Sequence, residues 1–142
     1  MTSIFSKTQA VRTLFAAAAI AVAGSAFAED VKVTLTGAEE TPAVVTSATG
    51  SAKFTIAADH AVSGTVKTTG IEGTAAHIHL APVGQSGPPV ITLTKGADGV
   101  WNIPADAKLT DEQFASFKAG NLYVNVHSAE HKPGEIRGQL KP

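Results

Sequence analysis

The chain has 142 residues, with 11 Lys and Arg against 12 Asp and Glu, and it contains no cysteine. The small acidic excess argues against nucleic acid as a partner, because nucleic-acid binding needs clustered positive charge. The absence of cysteine excludes a disulfide framework and the lipid-acceptor thiol of a membrane-anchored exported protein. Folding must therefore rest on a hydrophobic core.

Residues 1–28 predict a cleaved secretion signal peptide. Lys7 and Arg12 precede an apolar run over residues 14–23, and Ala26-Phe27-Ala28 has the small-x-small pattern that a signal peptidase accepts. The apolar run is half as long as the roughly 20 residues that span a bilayer. It therefore indicates a removable leader and not a transmembrane anchor.

Cleavage before Glu29 would leave residues 29–142 as one domain. The leader carries two of the basic residues, so the mature domain has nine basic and twelve acidic side chains and a net charge of −3. A domain of this length can bury a modest core without covalent cross-links. We expect a soluble protein without a membrane anchor, located in the periplasm or secreted.

The part of the chain after residue 30 has the pattern of antiparallel β-structure. Short runs of Val, Thr and Ile alternate with breaks containing Gly, Pro or Asp about every 8 to 15 residues. Ala58-Asp59-His60 and Lys132-Pro133-Gly134 predict tight turns between neighbouring strands. The predicted strands cover residues 31–36, 50–56, 61–69, 75–81, 89–94, 122–128 and 135–140. This spacing favours an all-β antiparallel β-sandwich.

One short helix is predicted within the long connection between strands, residues 95–121. Thr110 and Gln113 have the spacing of a capping box, in which each side chain satisfies a backbone N–H of the other residue. Phe114 and Phe117 follow on one face, and Gly120 provides a stop signal.

The alternation of side chains divides three of the strands into an aliphatic face and a polar face. The residues predicted to face the core are Ala76, Ile78, Leu80, Leu122, Val124, Val126, Ile136 and Leu140. The residues predicted to lie on the opposite, outward face are His77, His79, Tyr123, Asn125, His127, Glu135, Arg137 and Gln139. The polar face is therefore the candidate functional surface.

Several of these segments together resemble the CHRD domain. They are Ala76-His77-Ile78-His79, the strand from Leu122 to His127, the run from Pro133 to Gln139, and the opening segment from Leu35 to Pro42. The resemblance covers nearly all of residues 31–140 and implies a β-sandwich that is immunoglobulin-like or Cu/Zn-superoxide-dismutase-like. It does not bring an activity, because one fold supports many functions.

Four histidines form a candidate transition-metal site on the polar face. His77 and His79 are two residues apart on one strand, so their rings project from the same side with Cα atoms roughly 7 Å apart. If strands 75–81 and 122–128 are neighbours, His127 supplies a third nitrogen, and His131 can reach back from the following turn as a fourth. Imidazole without thiolate or thioether favours copper(II) or zinc.

Other interpretations of the same face remain open. In one, the histidines are a metal-free polar cluster that holds the long connection against the sheet, and in another they are part of a surface that contacts a protein or a glycan. A superoxide-dismutase-like copper enzyme is a third hypothesis, in which Arg137 would attract a small anion. Against an enzyme, the sequence has no Gly-x-Ser-x-Gly elbow and no cysteine nucleophile.

Two further features border the histidines. Tyr123 and Asn125 share the polar face with His127, where they either orient the imidazoles or only close the sheet surface. The segment Gly84-Gln85-Ser86-Gly87-Pro88-Pro89 follows the His-x-His strand, and it is either a rim over the site or an ordinary hairpin loop.

Overall fold

The structure is a computed structural model that describes residues 27–142, so the predicted signal peptide, residues 1–28, lies almost wholly outside the described residues. Within them the chain forms nine strands, one 3-10 turn at Gly37–Glu39 and one α-helix. The strands are β1 Glu29–Thr36, β2 Thr49–Ile56, β3 Val62–Thr69, β4 Gly73–Leu80, β5 Pro89–Thr92, β6 Thr94–Lys95, β7 Val100–Asn102, β8 Leu122–Ser128 and β9 Ile136–Leu140, and helix α1 is Asp111–Lys118.

All nine strands belong to one antiparallel sheet in the order β5-β4-β8-β9-β1-β2-β3-β7-β6. The two outermost strands, β5 and β6, are parts of one extended segment that is interrupted at Leu93. β5 pairs with β4 and β6 pairs with β7, while the backbone N–H of Leu93 donates to the carbonyl of Ala76 at 2.9 Å. One segment thus joins both edges, and the sheet is a nearly closed, barrel-like structure.

The predicted all-β antiparallel fold with one short helix is confirmed. The seven predicted strands agree with β1 to β4, β8, β9 and the segment that forms β5 and β6, whereas β7 was not predicted. The sheet is nearly closed and barrel-like, and the finer prediction of a two-layer β-sandwich stays a prediction. A closer relation to immunoglobulin or superoxide dismutase folds stays a prediction.

The core fills the inside of this barrel with the aliphatic face of each strand. Leu122, Val124 and Val126 of β8 are fully buried, as are Ile136 and Leu140 of β9. Ala76 and Ile78 of β4 join the same cluster, and Leu80 packs at its margin. The predicted division of these strands into a core face and an opposite face is therefore confirmed.

Helix α1 begins with the predicted capping box. The Thr110 hydroxyl accepts from the backbone N–H of Gln113 at 3.1 Å, and the Gln113 side chain accepts from the backbone N–H of Thr110 at 2.9 Å. Phe117 is fully buried in the barrel core, and the chain leaves the helix through Gly120 at a φ of 77°. The helix therefore closes part of the barrel with one aromatic side chain.

Candidate metal centre

Strands β4 and β8 are neighbours, which is the arrangement that a three-histidine site requires. Their antiparallel register places His77 opposite Asn125, His79 opposite Tyr123 and Ala75 opposite His127. Because side chains alternate along a strand, His77, His79 and His127 all project from the face that points away from the barrel core. The sheet thus brings together three of the four predicted ligands.

One ring nitrogen from each of these three histidines lies within 4.8 Å of the other two, and among residues 27–142 they form the one group with metal-ligand spacing. The ring centroids are 4.9 Å apart for His77 and His127, 5.4 Å for His77 and His79, and 5.9 Å for His79 and His127. Tetrahedral zinc with Zn–N bonds of about 2.05 Å needs N···N separations of roughly 3.4 Å. Separations of up to 4.8 Å between the candidate ligand atoms would therefore have to shorten for one ion to bind all three rings.

Two backbone carbonyls fix the protonation of two rings. His79 Nδ1 lies 2.9 Å from the carbonyl oxygen of Gly87, and His127 Nδ1 lies 2.7 Å from that of Lys132. A carbonyl oxygen only accepts, so both neutral rings carry their proton on Nδ1 and have a lone pair on Nε2. Metal-binding histidines commonly have this carbonyl partner, which orients the ring and makes the ligating nitrogen more basic.

His77 is held differently, because its partner is another ring of the cluster. His77 Nδ1 lies 3.0 Å from His127 Nε2. Since His127 has its proton on Nδ1, the hydrogen bond must run from His77 to His127. An ion bound to His127 Nε2 would displace this hydrogen bond and free His77 to become a ligand.

The surroundings of His77 and His79 favour the uncharged form of both rings. Burial lowers the pKa of His77 below its ordinary value of 6.5, and the nearby His127 and His79 lower it further. Burial also lowers the pKa of His79, although the hydrogen bond to Gly87 opposes this shift. Neutral imidazoles are the form that binds metal ions.

The other two histidines lie apart from this group. His131, the predicted fourth ligand, is not among the three converging residues, and its backbone is hydrogen-bonded to Ser128 in the turn after β8. His60 occupies the β2–β3 turn at a φ of 72°, where its ring stacks on Phe114 with centroids 4.1 Å apart. The structure therefore brings three predicted ligands together and leaves His131 outside.

The loop between β4 and β5 covers part of the polar face, which is one of the two alternatives that the sequence leaves open for this segment. It is fastened through Gly87, whose N–H donates to the Tyr123 hydroxyl at 3.3 Å and whose carbonyl accepts from His79. Tyr123 is buried, with the His79 ring stacked on it at a centroid distance of 4.8 Å. This loop is therefore a rim beside the histidines. The hydrogen bond and ring stacking of His79 are with Gly87 of this loop and with Tyr123, and not with the long connection of residues 95–121.

Arg137 does not have the role that the dismutase hypothesis gave it. Its side chain is only 2% exposed. Its two terminal nitrogens donate to the carbonyl of Gln85 at 2.7 Å, the carbonyl of Pro82 at 3.2 Å and the side chain of Gln139 at 3.1 Å. A guanidinium buried and occupied in this way holds the loop in place and is not open to a small anion.

A buried carboxylate, Glu40, lies on the far side of Asn125 and was not predicted from the sequence. Asn125 Nδ2 donates to Glu40 Oε1 and to the carbonyl of Pro133, both at 3.3 Å. Burial raises the pKa of Glu40, while the hydrogen bond from Asn125 and the charge of Arg137 oppose the rise. The only sequence signal for this contact is that Glu40 falls in the opening segment of the family resemblance.

The glycine before Glu135 makes that contact possible. A Cβ on Gly134 would lie 2.3 Å from Glu40 Oε1 and 2.4 Å from Asn125 Nδ2, and the residue has a φ of 134°. Any side chain here would push Glu40 and Asn125 apart. The Pro-Gly-Glu run therefore serves the buried polar network as well as the turn.

The chain belongs to the CHRD domain family. The family model matches residues 31–140, which is the folded part of the chain from β1 to β9. No curated protein and no solved structure matches the sequence. Within the described part of the chain, no helix is long and apolar enough to cross a membrane.

Proposed function

We propose that this protein is an exported CHRD-domain protein that binds a transition metal ion, copper(II) or zinc, through His77, His79 and His127. The observation that carries the proposal is the convergence of three imidazoles, each with one nitrogen within 4.8 Å of a nitrogen of the other two. The carbonyls of Gly87 and Lys132 support it, because they aim an Nε2 lone pair of two of these rings away from the backbone.

The chemistry of the donor set supports copper(II) and zinc over other ions. The group contains imidazole nitrogen and no carboxylate or thiolate. Nitrogen donors of this type suit copper, zinc and nickel, whereas Mg²⁺ and Ca²⁺ prefer oxygen and Cu(I) prefers sulfur ligands. A small exported protein with such a site would store or buffer the ion.

Export rests on the leader sequence, and the start of the folded region is compatible with it. Strand β1 begins at Glu29, the residue that would become the new N-terminus. Cleavage after Ala28 would therefore leave every strand intact. A periplasmic location is our preferred assignment, and it is tested by mass spectrometry of the periplasmic fraction and of the medium, with the Glu29 terminus expected in the periplasmic fraction.

Metal binding is tested on the domain of residues 29–142, purified without a histidine tag and stripped with a chelator. Copper(II) and zinc are titrated by calorimetry into the parent protein, a His77→Ala/His79→Ala double variant and a His131→Ala control. We expect saturable one-to-one binding in the parent and the control, and its loss in the double variant. Equal weak binding in all three would overturn the proposal.

A second candidate is a metal-free module that contacts a protein or a glycan. Two exposed apolar side chains favour it, Val45 in the segment before β2 and Val83 in the loop that borders the histidines. Single exposed apolar residues are common on protein surfaces, so this observation is weaker than the histidine geometry. A dismutase-like enzyme has less support still, because Arg137 is buried and both of its terminal nitrogens are hydrogen-bonded.

A further inference from the structure

Two buried acceptor atoms beside the histidines have no hydrogen-bond partner within the described part of the chain. They are His79 Nε2 and Asn125 Oδ1. The residues are only 8% and 1% exposed, respectively. A buried polar atom without a partner is costly, so each such atom requires an explanation.

The orientation of the Asn125 amide follows from its other contacts. Its Nδ2 lies 3.3 Å from both Glu40 Oε1 and the carbonyl oxygen of Pro133, and neither a carboxylate nor a carbonyl can donate. Rotating the amide by 180° would place Oδ1 against two acceptors. The oxygen must therefore point away from Glu40, back along the polar face.

The histidines lie on the side of Asn125 that faces away from Glu40, and Oδ1 points toward that side. Asn125 stands directly opposite His77 in the β4–β8 ladder, and His127 follows it two residues later on the same face. His79 lies two residues from His77 on the same face of β4, and among the described residues its Nε2 is buried and unpartnered in the same way as Asn125 Oδ1. Because Nδ1 of His79 already donates to Gly87, the ring atom available to Asn125 is Nε2.

His79 Nε2 and Asn125 Oδ1 are thus two lone pairs directed at the same region, with no proton between them when the ring is neutral. A cation satisfies both at once. We propose that Asn125 Oδ1 is the fourth ligand of the metal ion, completing a site of three imidazole nitrogens and one amide oxygen. This inference rests on the proposed function and identifies a ligand outside the histidine motif.

A fourth protein ligand changes what the site can do. Catalytic zinc sites keep one position for water or substrate, whereas structural sites are closed by four protein ligands. A site closed by Asn125 is suited to holding an ion. All four ligands are neutral, so the bound ion keeps its double positive charge in a partly buried setting, and the Glu40 carboxylate behind Asn125 partly compensates it.

The first test compares zinc affinity in three proteins by competition with a chromophoric chelator. Asn125→Leu removes the oxygen and keeps the branched shape of the side chain, and Asn121→Leu makes the same change at the residue before β8, away from the histidines. Loss of Asn125 should weaken zinc binding by about 10- to 100-fold, as for other residues that hold or orient metal ligands. Asn121→Leu should bind as the parent does. Unchanged affinity in a folded Asn125→Leu protein would overturn the inference.

A second measurement needs no variant and so does not depend on whether Asn125→Leu folds. In the isotopically labelled parent domain, zinc binding should shift the side-chain Cγ and amide resonances of Asn125 but not those of Asn102 and Asn121. If the histidine rings respond while Asn125 Cγ does not move, the fourth-ligand inference fails and the three-histidine site stands. If neither zinc nor copper(II) binds, the proposed function fails, and this inference fails with it.

Discussion

The guanidinium carbon of Arg137 lies 3.5 Å from the centre of the Tyr123 ring. At that distance it must lie over a face of the ring, and the stacked His79 ring occupies the other face, because β4 and β9 flank β8 on opposite sides. Tyr123 is therefore sandwiched between a candidate metal ligand and a buried cation. This stack links the position of His79 to the residues of β9.

Replacement of Arg137 should unfold the rim over the histidines as well as weaken the fold. Arg137→Lys keeps the charge but loses the planar group that bonds to two loop carbonyls and stacks on Tyr123. We expect a loss of about 2–4 kcal/mol in the free energy of unfolding, typical of breaking a buried charged network. Urea denaturation measures it, with the exposed Lys141→Arg as a control that should change stability by less than about 0.5 kcal/mol. Equal stability of Arg137→Lys and parent would contradict the assigned role.

Gly87 should be a position where a single methyl group disturbs the site. A Cβ there would lie 1.9 Å from the backbone carbonyl oxygen of Leu80, so Gly87→Ala must move the loop. Since the Gly87 carbonyl holds His79 Nδ1, we expect a loss of stability of about 1–3 kcal/mol and weaker metal binding.

Gly84 provides the matched control for this prediction. It lies in the same loop at a φ of 78°, and a Cβ there would meet no atom within 4 Å. Asparagine tolerates this backbone conformation, so Gly84→Asn should leave metal affinity unchanged. Calorimetric titration compares the metal affinities of Gly87→Ala and Gly84→Asn. Equal affinities would show that the loop does not orient His79.

The parts of the fold that follow from local rules could be predicted from the sequence. Strict alternation in β8 and the His-x-His spacing in β4 assigned their faces correctly, and the capping box located helix α1. Strand β7 was missed because three residues, Val100 to Asn102, are too short to show alternation. Closure of the barrel could not be seen either, because it depends on one segment pairing with β4 at one end and β7 at the other.

The candidate site was predictable only in part, because it also depends on contacts between residues that are far apart in the sequence. The sequence places His77 and His79 on one face, but the contribution of His127 depends on the long-range pairing of β4 with β8. Asn125 and Glu40 are 85 positions apart, and no local pattern relates them. His131 was included because it is near His127 in sequence, yet its turn keeps it out of the converging group.

The capping box of helix α1 gives a prediction that does not involve the metal. Thr110→Ala removes the hydroxyl that accepts from the Gln113 backbone and should lower the free energy of unfolding by about 1 kcal/mol. Thr110→Ser retains the acceptor and should stay within a few tenths of a kcal/mol of the parent. Thermal or urea unfolding of the two variants tests this, and equal destabilisation would mean that the methyl group matters and not the hydroxyl.

The lowered pKa values of His77 and His79 predict how the metal-free protein responds to acid. In the unfolded chain both rings titrate near 6.5, whereas in the folded protein burial lowers their pKa values. Between the two values the unfolded state binds protons that the folded state does not, so stability falls as the pH falls through this window. The stability that the lowered pKa values of these two rings contribute is fully present above pH 6.5, and it is lost progressively as the pH falls below 6.5.

Urea unfolding of the chelator-treated domain at several pH values measures this dependence. In a His77→Gln/His79→Gln variant, the free energy of unfolding should no longer fall with pH just below pH 6.5 as it does in the parent. His131→Gln, which changes a histidine outside the converging group, should keep this fall. Glu40 and Glu135 also have shifted pKa values and are present in the parent and the double variant, so the difference between these two proteins isolates the histidine pair. His131→Gln also removes a charge that lowers the pKa of Glu135, so this control is compared with the parent only just below pH 6.5. Parallel curves for the parent and the double variant would show that the cluster protonates as easily in the folded protein as in the unfolded chain.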